Sequence, residues 1–458
     1  MIRGPLHRQL FAELRASIAD GTMRGGARLP STRDFATQRG VSRKTAEEAY
    51  AQLEAEGYVE RRVGSGTYVC DLPLPKRRTA RLEGRRTLSA RGRGAAKSAA
   101  CVEPLQVRAF AAGLPALDHF PVATWQRLVS SHARRLDAKS LVYGDPAGEP
   151  ALREAVVGYL NAARGVHCDA GQVVIVSSSQ EALHLLAQLL VDPGEAAWLE
   201  EPGYYGARAA LVAAGARIVP VPVGDEGLDV ATGIALAPNA RLAYVTPSNH
   251  YPLGSAMSLD RRLALLAWAR RSDAWIVEDD YDGEFRYDAR PLTAIQGLDT
   301  AGRAIYVGTF TKSLYPALRL AYVVLPPDLV ASFVTARTQV DGHPPPFLQR
   351  VTADFIEHGH FDAHLKRMRT LYRERRDLAV RLLSKHLDLG PADAGFRVVA
   401  FTQGDDRELA ARGARAGLDL PTLSRLYLGK PRHGLVLGYM GLTPSALTHG
   451  VKALAKLI

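Results

Sequence analysis

Seven short runs of uninterrupted apolar character punctuate the chain: Val173–Ser177, Ala197–Glu200, Ile218–Val223, Leu242–Thr246, Trp275–Glu278, Ile305–Thr309 and Ala321–Leu325. A strand with one wet face alternates apolar and polar residues. These runs do not alternate, so they suit a sheet covered on both faces. Helix-favouring stretches separate them, which is the pattern of an α/β layer. From about residue 335 the sequence becomes helical and charge-laced, then leads into a smaller α+β portion. No internal repeat is visible.

The front of the chain follows another pattern. Pro5–Asp20 carries Leu6, Leu10, Phe11, Leu14 and Ile18 at helical spacing, and Gly21 closes it. Ser31 is an N-cap candidate for a second helix through about Gln38. After Arg39-Gly40-Val41, Ser42 caps a third helix with Ala46, Ala49, Tyr50 and Leu53 on one face, and Gly57 ends it. Two strand-like pieces, Tyr58–Arg61 and Gly66–Val69, are joined across Arg62–Ser65. Three helices and a hairpin describe a winged helix-turn-helix.

In that fold the second helix of the pair enters the major groove with its first residues at the base edges. Here those are Ser42, Arg43, Lys44 and Thr45, which can donate to guanine or phosphate or touch a thymine methyl. Arg33 lies in the turn opening the preceding helix, whose amide-rich start suits a phosphate. Arg61 and Arg62 flank a wing of Gly64, Ser65, Gly66 and Thr67. The segments PLHRQLFAELRASIADG, RLPSTRDFA, GVSRKTAEEAYAQLEAEGYV and VGSGTYV resemble the winged-helix domain of GntR-family bacterial regulators. The resemblance implies binding of double-stranded operator DNA as a dimer.

Charge separates front from body. The formal net charge is +11, of which residues 1–100 hold +10. Residues 71–100 alone carry nine basic and two acidic side chains and almost no large apolar ones. They cannot build a core. The expected division is a winged helix over 1–70, a flexible basic linker over 71–104 and an α/β body over 105–458. About 30 residues of flexible chain span roughly 30 Å. The linker's charge suits either a self-repelling tether or an arm lying along nucleic-acid phosphates. Cys70, Cys101 and Cys168 are an odd set with no ligand-like spacing, which argues against a disulfide framework. With no signal-like apolar start and no membrane-length apolar stretch, a cytoplasmic protein is expected.

The body's chemistry concentrates after the apolar runs. Gly308-Thr309-Phe310-Thr311-Lys312-Ser313 and the following residues to Arg319 place a lysine at the sheet's carboxyl edge, where α/β proteins bind ligands. Thr309, Thr311 and Arg319 offer hydroxyls and a guanidinium to an anion. Glu278-Asp279-Asp280-Tyr281-Asp282 ends another run. A carboxylate there can face a protonated heteroaromatic nitrogen, and a tyrosine can bond a ring hydroxyl. A Schiff-base lysine with such a carboxylate is what pyridoxal 5'-phosphate (PLP) requires of a protein. Ser177-Ser178-Ser179-Gln180 opens a helix after a run and suits a phosphate. Glu201-Pro202-Gly203-Tyr204-Tyr205-Gly206 supplies an aromatic to stack on a ring. Thr246 to Gly254 puts polar groups, Asn249 among them, near a ring oxygen, and Tyr143 to Gly148 precedes a capped helix.

Taken in this order, the fragments resemble the fold-type I PLP-dependent enzymes, the aspartate aminotransferase-like superfamily. The resemblance implies that Lys312 forms the aldimine with PLP, that Asp279 faces the pyridine nitrogen and that Tyr281 lies near the 3-hydroxyl. It puts Ser179, Gln180, Thr309, Thr311 and Arg319 on the phosphate side. It makes Tyr204 the stacking aromatic, with Tyr205 the alternative, and it implies that Tyr143 reaches the neighbouring subunit's phosphate. Asn249 stands where similar members carry His, and Leu253 where they carry Thr. No motif fixes the arginine that would clamp an effector carboxylate; Arg432 and Arg208 are the candidates. His358, His360 and His364 have metal-like spacing, but zinc needs converging imidazoles and supporting partners, and the stretch resembles a helix of PLP-fused regulators. No metal is expected.

Head, linker and body together resemble the MocR subfamily of GntR regulators. That resemblance implies a head-to-tail homodimer that senses a small amino compound or PLP through Lys312 and switches transcription. The alternative is a working PLP-dependent aminotransferase that carries a DNA-binding domain. The want of a clear carboxylate clamp favours sensing over turnover.

Overall fold

Leu10, Phe11, Leu14 and Ile18 form the buried face of α1 (Leu6–Ala19), while Leu6 at its start is exposed. They pack on Phe35 and Ala36 of α2 (Thr32–Arg39) and on Ala46, Ala49, Tyr50 and Leu53 of α3 (Arg43–Ala55). Strands β1 (Val59–Arg62) and β2 (Gly66–Val69) pair antiparallel from Val59 opposite Val69 to Arg62 opposite Gly66. The winged helix-turn-helix is complete within these elements.

The computed structural model describes residues 5–72, 87–97, 108–287 and 292–458. Two units, Met1–Thr87 and Leu88–Ile458, meet in sequence inside the segment read as a linker. Most of that segment, and Cys101, lie outside the described residues. Within it Ala90–Lys97 is helical and lies against the helix Tyr205–Ala214. Alanine, arginine and lysine are good helix formers, so a docking surface is enough to tip a short stretch of them into a helix.

All seven apolar runs are strands. In chain order the body has β3 (Val173–Val176), β4 (Ala196–Glu201), β5 (Arg217–Gly224), β6 (Gly227–Leu228), β7 (Leu242–Val245), β8 (Trp275–Asp280), β9 (Ala304–Thr309) and β10 (Ala321–Val324). They form one sheet in the order β3-β10-β9-β8-β7-β4-β5-β6. Neighbours from β9 to β5 run parallel, whereas β10 is antiparallel to both β9 and β3. The link from Thr309 to Ala321 is too short for a helical crossover, so the chain turns straight back. Leu183, Leu186, Ala207, Leu211 and Phe333 cover one face, and the stacked rings of Trp198 and Trp268, 3.8 Å apart, anchor the other.

The long helix His360–Leu383 leads to a smaller antiparallel sheet of β11 (Asp388–Leu389), β12 (Arg397–Phe401) and β13 (Gly434–Gly438). No described helix is long and apolar enough to cross a membrane. The arrangement gathers the carboxyl ends of β3, β4, β7, β8 and β9 along one edge, the general ligand edge of such sheets.

Candidate functional site

In the first unit two serine caps fix the reading elements. Ser31 Oγ accepts the Asp34 amide and Ser42 Oγ accepts the Thr45 amide, each at 3.1 Å. Arg43 and Lys44 stand exposed on the first turn of α3, with Arg43 Nε 2.8 Å from Glu47. The Thr45 hydroxyl is 2.8 Å from that of Ser42. Arg33 is exposed on α2. At the hairpin Arg61 pairs with Glu54 at 3.0 Å, and Arg62 bonds Glu60 and lies over the Tyr68 ring. Ser65 Oγ is 2.7 Å from the Tyr68 hydroxyl.

Gly64 and Gly66 both have positive φ, and a Cβ at Gly66 would stand 2.8 Å from Arg28 Nε. Arg28, Arg43, Lys44, Arg61, Gly66 and Thr67 line one groove with the start of α2. Glu47 and Glu48 line the same groove, so four cations face it against two carboxylates beside a helix N-terminus, a net positive surface. Arg28 escaped the sequence reading because it looks like any loop arginine before the helix pair. Arg33 and Arg62 do not line the groove.

In the second unit β8 delivers Asp279 to the ligand edge. Its Oδ2 accepts the Tyr244 hydroxyl at 2.8 Å. Its Oδ1 is buried with no hydrogen-bond partner among the described residues. Burial pushes the Asp279 carboxyl up to about 7, against the Tyr244 hydrogen bond and the Lys312 ammonium. The next residue serves the scaffold. Asp280 Oδ2 accepts Arg164 Nε at 2.7 Å and the Tyr306 hydroxyl at 2.6 Å, and Arg164 also bonds Ser248 Oγ and the Gly283 carbonyl. This buried network fixes the strand end on which Asp279 stands.

Lys312 lies in the single turn Phe310–Ser313 after β9, capped by Thr309, whose Oγ1 accepts the Thr311 amide at 3.1 Å. Lys312 Nζ donates to the Gly113 carbonyl at 2.8 Å. The Tyr281 hydroxyl donates to the Asn249 carbonyl at 2.8 Å and accepts from Arg397 Nη2. Asn249 Nδ2 donates to Asp282 Oδ2 at 2.7 Å, and its buried Oδ1 has no partner among the described residues. Ring contacts run from Tyr205 through Tyr204 and Tyr251 to Tyr281, with centroids 5.4, 5.6 and 6.2 Å apart.

On the β3 side, Ser178 caps the helix Ser179–Leu190, whose first amides are the usual anion donors of a helix N-terminus. Gln180 Nε2 donates to the Gly206 carbonyl at 2.9 Å. Gly206 has to be glycine, since a Cβ there would meet Gln180 Oε1 and the Tyr204 ring at 2.3–2.4 Å. Arg319 is exposed and adopts φ +55, a conformation that non-glycine residues rarely hold without cause. Tyr143 is 93% exposed beside Leu141 and Val142, both also exposed.

Asp279 and Lys312 are thus electrostatically coupled, and Asn249, Tyr281 and Tyr204 are joined through Tyr251, both groups lying at carboxyl ends of the sheet's strands. Arg432 is not linked to them: it is exposed, with its guanidinium 4.0 Å from the Phe401 ring. Arg208 is half-buried on the helix Tyr205–Ala214, where its backbone amide donates to the Tyr204 carbonyl at 3.2 Å. His364 is buried against Phe120 and faces Arg367, apart from the neighbouring rings of His358 and His360. Sequence reasoning missed Tyr244, Gly113 and Arg397.

Comparison with known proteins agrees with both halves. Residues 6–69 match the gntR family of bacterial regulatory proteins, and residues 110–415 match aminotransferase class I and II. The probable rhizopine catabolism regulatory protein MocR of Rhizobium meliloti is 43% identical over 98% of this chain and 93% of its own length. The HTH-type transcriptional regulator TauR of Rhodobacter capsulatus is 33% identical over 99% of this chain and 96% of its own. Among solved structures, LysN, the α-aminoadipate aminotransferase of Thermus thermophilus complexed with N-(5'-phosphopyridoxyl)-L-leucine, is 27% identical with a TM-score of 0.74, covering 80% of this chain and 96% of that one. With a GntR-type head, an aminotransferase class I and II body and full-length likeness to these regulators, the chain belongs to the MocR-type HTH transcriptional regulators.

Proposed function

We propose that the body binds PLP and that the chain is a PLP-dependent regulator whose grip on operator DNA responds to a small amino compound or to PLP itself. The observation that carries this is the unpartnered, buried Oδ1 of Asp279, held rigid by Tyr244 and within reach of the Lys312 charge. A buried carboxylate oxygen without a donor is costly, and a protonated pyridine nitrogen is the donor that suits it. The phosphopyridoxyl ligand of the LysN complex supports the same reading.

When bound, PLP supplies an electrophilic carbon at which primary amines exchange reversibly. Lys312 would be the residue that holds the cofactor, and its Nζ would be free to take other partners when an incoming amine occupies the site. Asp279 would face the ring nitrogen and keep it protonated, while Tyr281 and Asn249 would hold the ring oxygen. Tyr204, or Tyr205 in its place, stacks on the ring. Ser179, Gln180, Thr309, Thr311 and Arg319 serve the phosphate, joined by Tyr143 of a second copy in a head-to-tail homodimer. The exposure of Leu141, Val142 and Tyr143 together supports that last role.

In the head, Ser42, Arg43, Lys44 and Thr45 read bases or phosphates, and Arg33, Arg62, Gly64, Ser65 and Gly66 position the duplex. Redistribution of contacts around Lys312 shifts the population of a two-state body, and the heads follow.

The test is to titrate purified full-length protein with primary amines while following its visible spectrum and a DNA-shift assay. A spectral change and a change in DNA affinity at the same amine concentration are expected. A colourless preparation that stays colourless with added PLP overturns the reading. Steady transamination with 2-oxoglutarate above about 1 s⁻¹, within the ordinary enzyme range, would make the chain an enzyme first.

A further inference from the structure

Glu181 stands in the first turn of the helix Ser179–Leu190, the same helix start that the phosphate-side residues Ser179 and Gln180 occupy. Ser178 and Glu181 have capping-box spacing, and Ser178 Oγ accepts the Glu181 amide at 3.1 Å. The Glu181 side chain folds back one residue further than that motif requires. Its Oε2 accepts the Ser177 amide at 2.7 Å and also the Ser177 hydroxyl. This closes the loop Ser177–Gln180 but leaves a carboxylate at the helix start. The positive end of a helix favours one anion. A phosphate arriving beside the first anion is repelled unless a cation offsets the carboxylate.

Arg337, on the helix Pro327–Asp341, is that cation, and it is completely buried. Its Nη1 donates to the Pro146 carbonyl at 3.1 Å and to the Gly342 carbonyl at 2.9 Å, which fixes the guanidinium in place. Nε and Nη2 make no hydrogen bond among the described residues and face carboxylates instead. Nε lies 3.5 Å from Glu181 Oε1, and Nη2 lies 3.3 Å from Asp341 Oδ1. The two carboxylates differ in their access to water. The Asp341 side chain is 40% exposed, whereas that of Glu181 is 13% exposed and its Oε1 has no hydrogen-bond donor among the described residues. Glu181 therefore depends on the guanidinium far more than Asp341 does.

We infer that Arg337 is a positioning residue for the cofactor's phosphate: it offsets the Glu181 carboxylate so that a phosphate can share the same helix start. The inference rests on the PLP reading above and adds a residue that no motif of the phosphate loop contains. Arg337 acts through Glu181 and not on the phosphate itself. Its tie to Pro146 gives the same side chain a hold on the segment that carries Tyr143, the residue proposed to reach a second copy's phosphate. An arginine that only braced the fold would weaken every ligand alike when lost. One that offsets a charge makes a narrower demand, because removing the charge of Glu181 repairs its loss.

The experiment uses full-length protein and equilibrium dialysis of PLP and of pyridoxal, which has no phosphate. Arg337→Gln should weaken PLP about tenfold, the scale of one uncompensated charge beside an anion, and leave pyridoxal within about threefold. Glu181→Gln keeps an acceptor for Ser177 and should bind PLP at least as tightly as the parent. Added to Arg337→Gln, it should restore PLP affinity to within about threefold of the parent, a coupling that the double-mutant cycle reads directly. Arg337→Lys keeps the charge and should hold PLP within about threefold whatever happens to its melting temperature. That arm decides the matter if the Gln variant fails to fold.

An Arg337→Gln protein with the parent's PLP affinity overturns the inference. So does equal weakening of PLP and pyridoxal, a double variant no better than Arg337→Gln, or a tenfold loss in Arg337→Lys. A parent that takes up no PLP overturns the proposed function, and the inference falls with it; each of the other outcomes leaves that function standing.

Discussion

At Asp279 one carboxylate oxygen has the Tyr244 hydroxyl at 2.8 Å and the other has no partner among the described residues. A charged hydrogen bond to that second oxygen is worth about 1.5–3 kcal/mol. Asp279→Asn should therefore weaken PLP binding roughly 10- to 100-fold, measured by equilibrium dialysis against free cofactor. Lys312→Ala should remove the visible band that the parent shows. An unchanged band would mean that another amine holds the cofactor.

Acidity at this edge has a direction too. Burial raises Asp279, Asp282 and Glu278 to about 7 and Glu200 to about 8. In the unfolded chain these groups ionise near 4, roughly the usual carboxylate value. The folded state thus holds its protons longer, and its stability falls as pH rises from about 4 through 7 to 8. The melting temperature of PLP-free protein should decline between about pH 5 and pH 8. Loading PLP, which gives Asp279 a partner, should flatten that decline. Parallel curves for the two forms would contradict the assignment of Asp279.

Individual residues were legible where chemistry and position coincide. Asp279 stands at the end of β8 after its apolar residues and Lys312 lies three residues past β9, so a one-dimensional pattern finds them. Tyr244 does not show, because in Leu242–Val245 it reads as one more core residue. Gly113 contributes only its carbonyl, which any residue type has. Arg397 is invisible for a topological reason: two sheets must meet before it touches Tyr281.

The recognition helix α3 shows how an element can be specified locally. The Ser42 cap is worth about 1 kcal/mol, and Ser42→Ala should lower the stability of the head by that amount in a denaturant melt. Arg43→Ala and Lys44→Ala should each weaken operator binding. Where the lost contact is to a phosphate, the slope of log affinity against log salt should become shallower by about one unit. A slope that stays unchanged in both variants would place these side chains away from the backbone.

Elements of the body were legible for a similar reason, since β3, β7, β8, β9 and β10 are buried on both faces, and only β5, towards the sheet's edge, is partly exposed among the seven runs. The exceptions are informative. The antiparallel return of β10 depends on the length of one connection rather than on composition. The helix Ala90–Lys97 depends on a surface supplied by Tyr205–Ala214, more than 100 residues further along.

For the molecule as a whole, the proposed dimer makes a prediction that no single-chain property can mimic. If each site takes Lys312 from one copy and Tyr143 from the other, Lys312→Ala and Tyr143→Ala proteins are each impaired. Mixed and re-equilibrated, they form heterodimers with one site that keeps both residues. PLP binding and amine response should reappear, at no more than half of the parent's sites. Failure of the mixture to recover, with subunit exchange shown independently, would mean that Tyr143 serves its own chain.

The helix Pro150–Arg164 begins just after the Tyr143 segment and is gripped at both ends. Glu149 at its start pairs with Arg350 at 2.9 and 3.0 Å, and Arg164 at its last turn pairs with Asp280. Fifteen residues make a rod of roughly 22 Å. Tied at both ends, the helix joins the Tyr143 segment to the strand end that bears Asp279, and as a rigid rod it would act as a push-rod between them. In a dimer, each push-rod would start at the neighbour's phosphate and finish beside its own chain's pyridine carboxylate. In such a dimer occupancy of one chamber would be geared to the shape of the other, and amine titrations should then depart from a simple hyperbola.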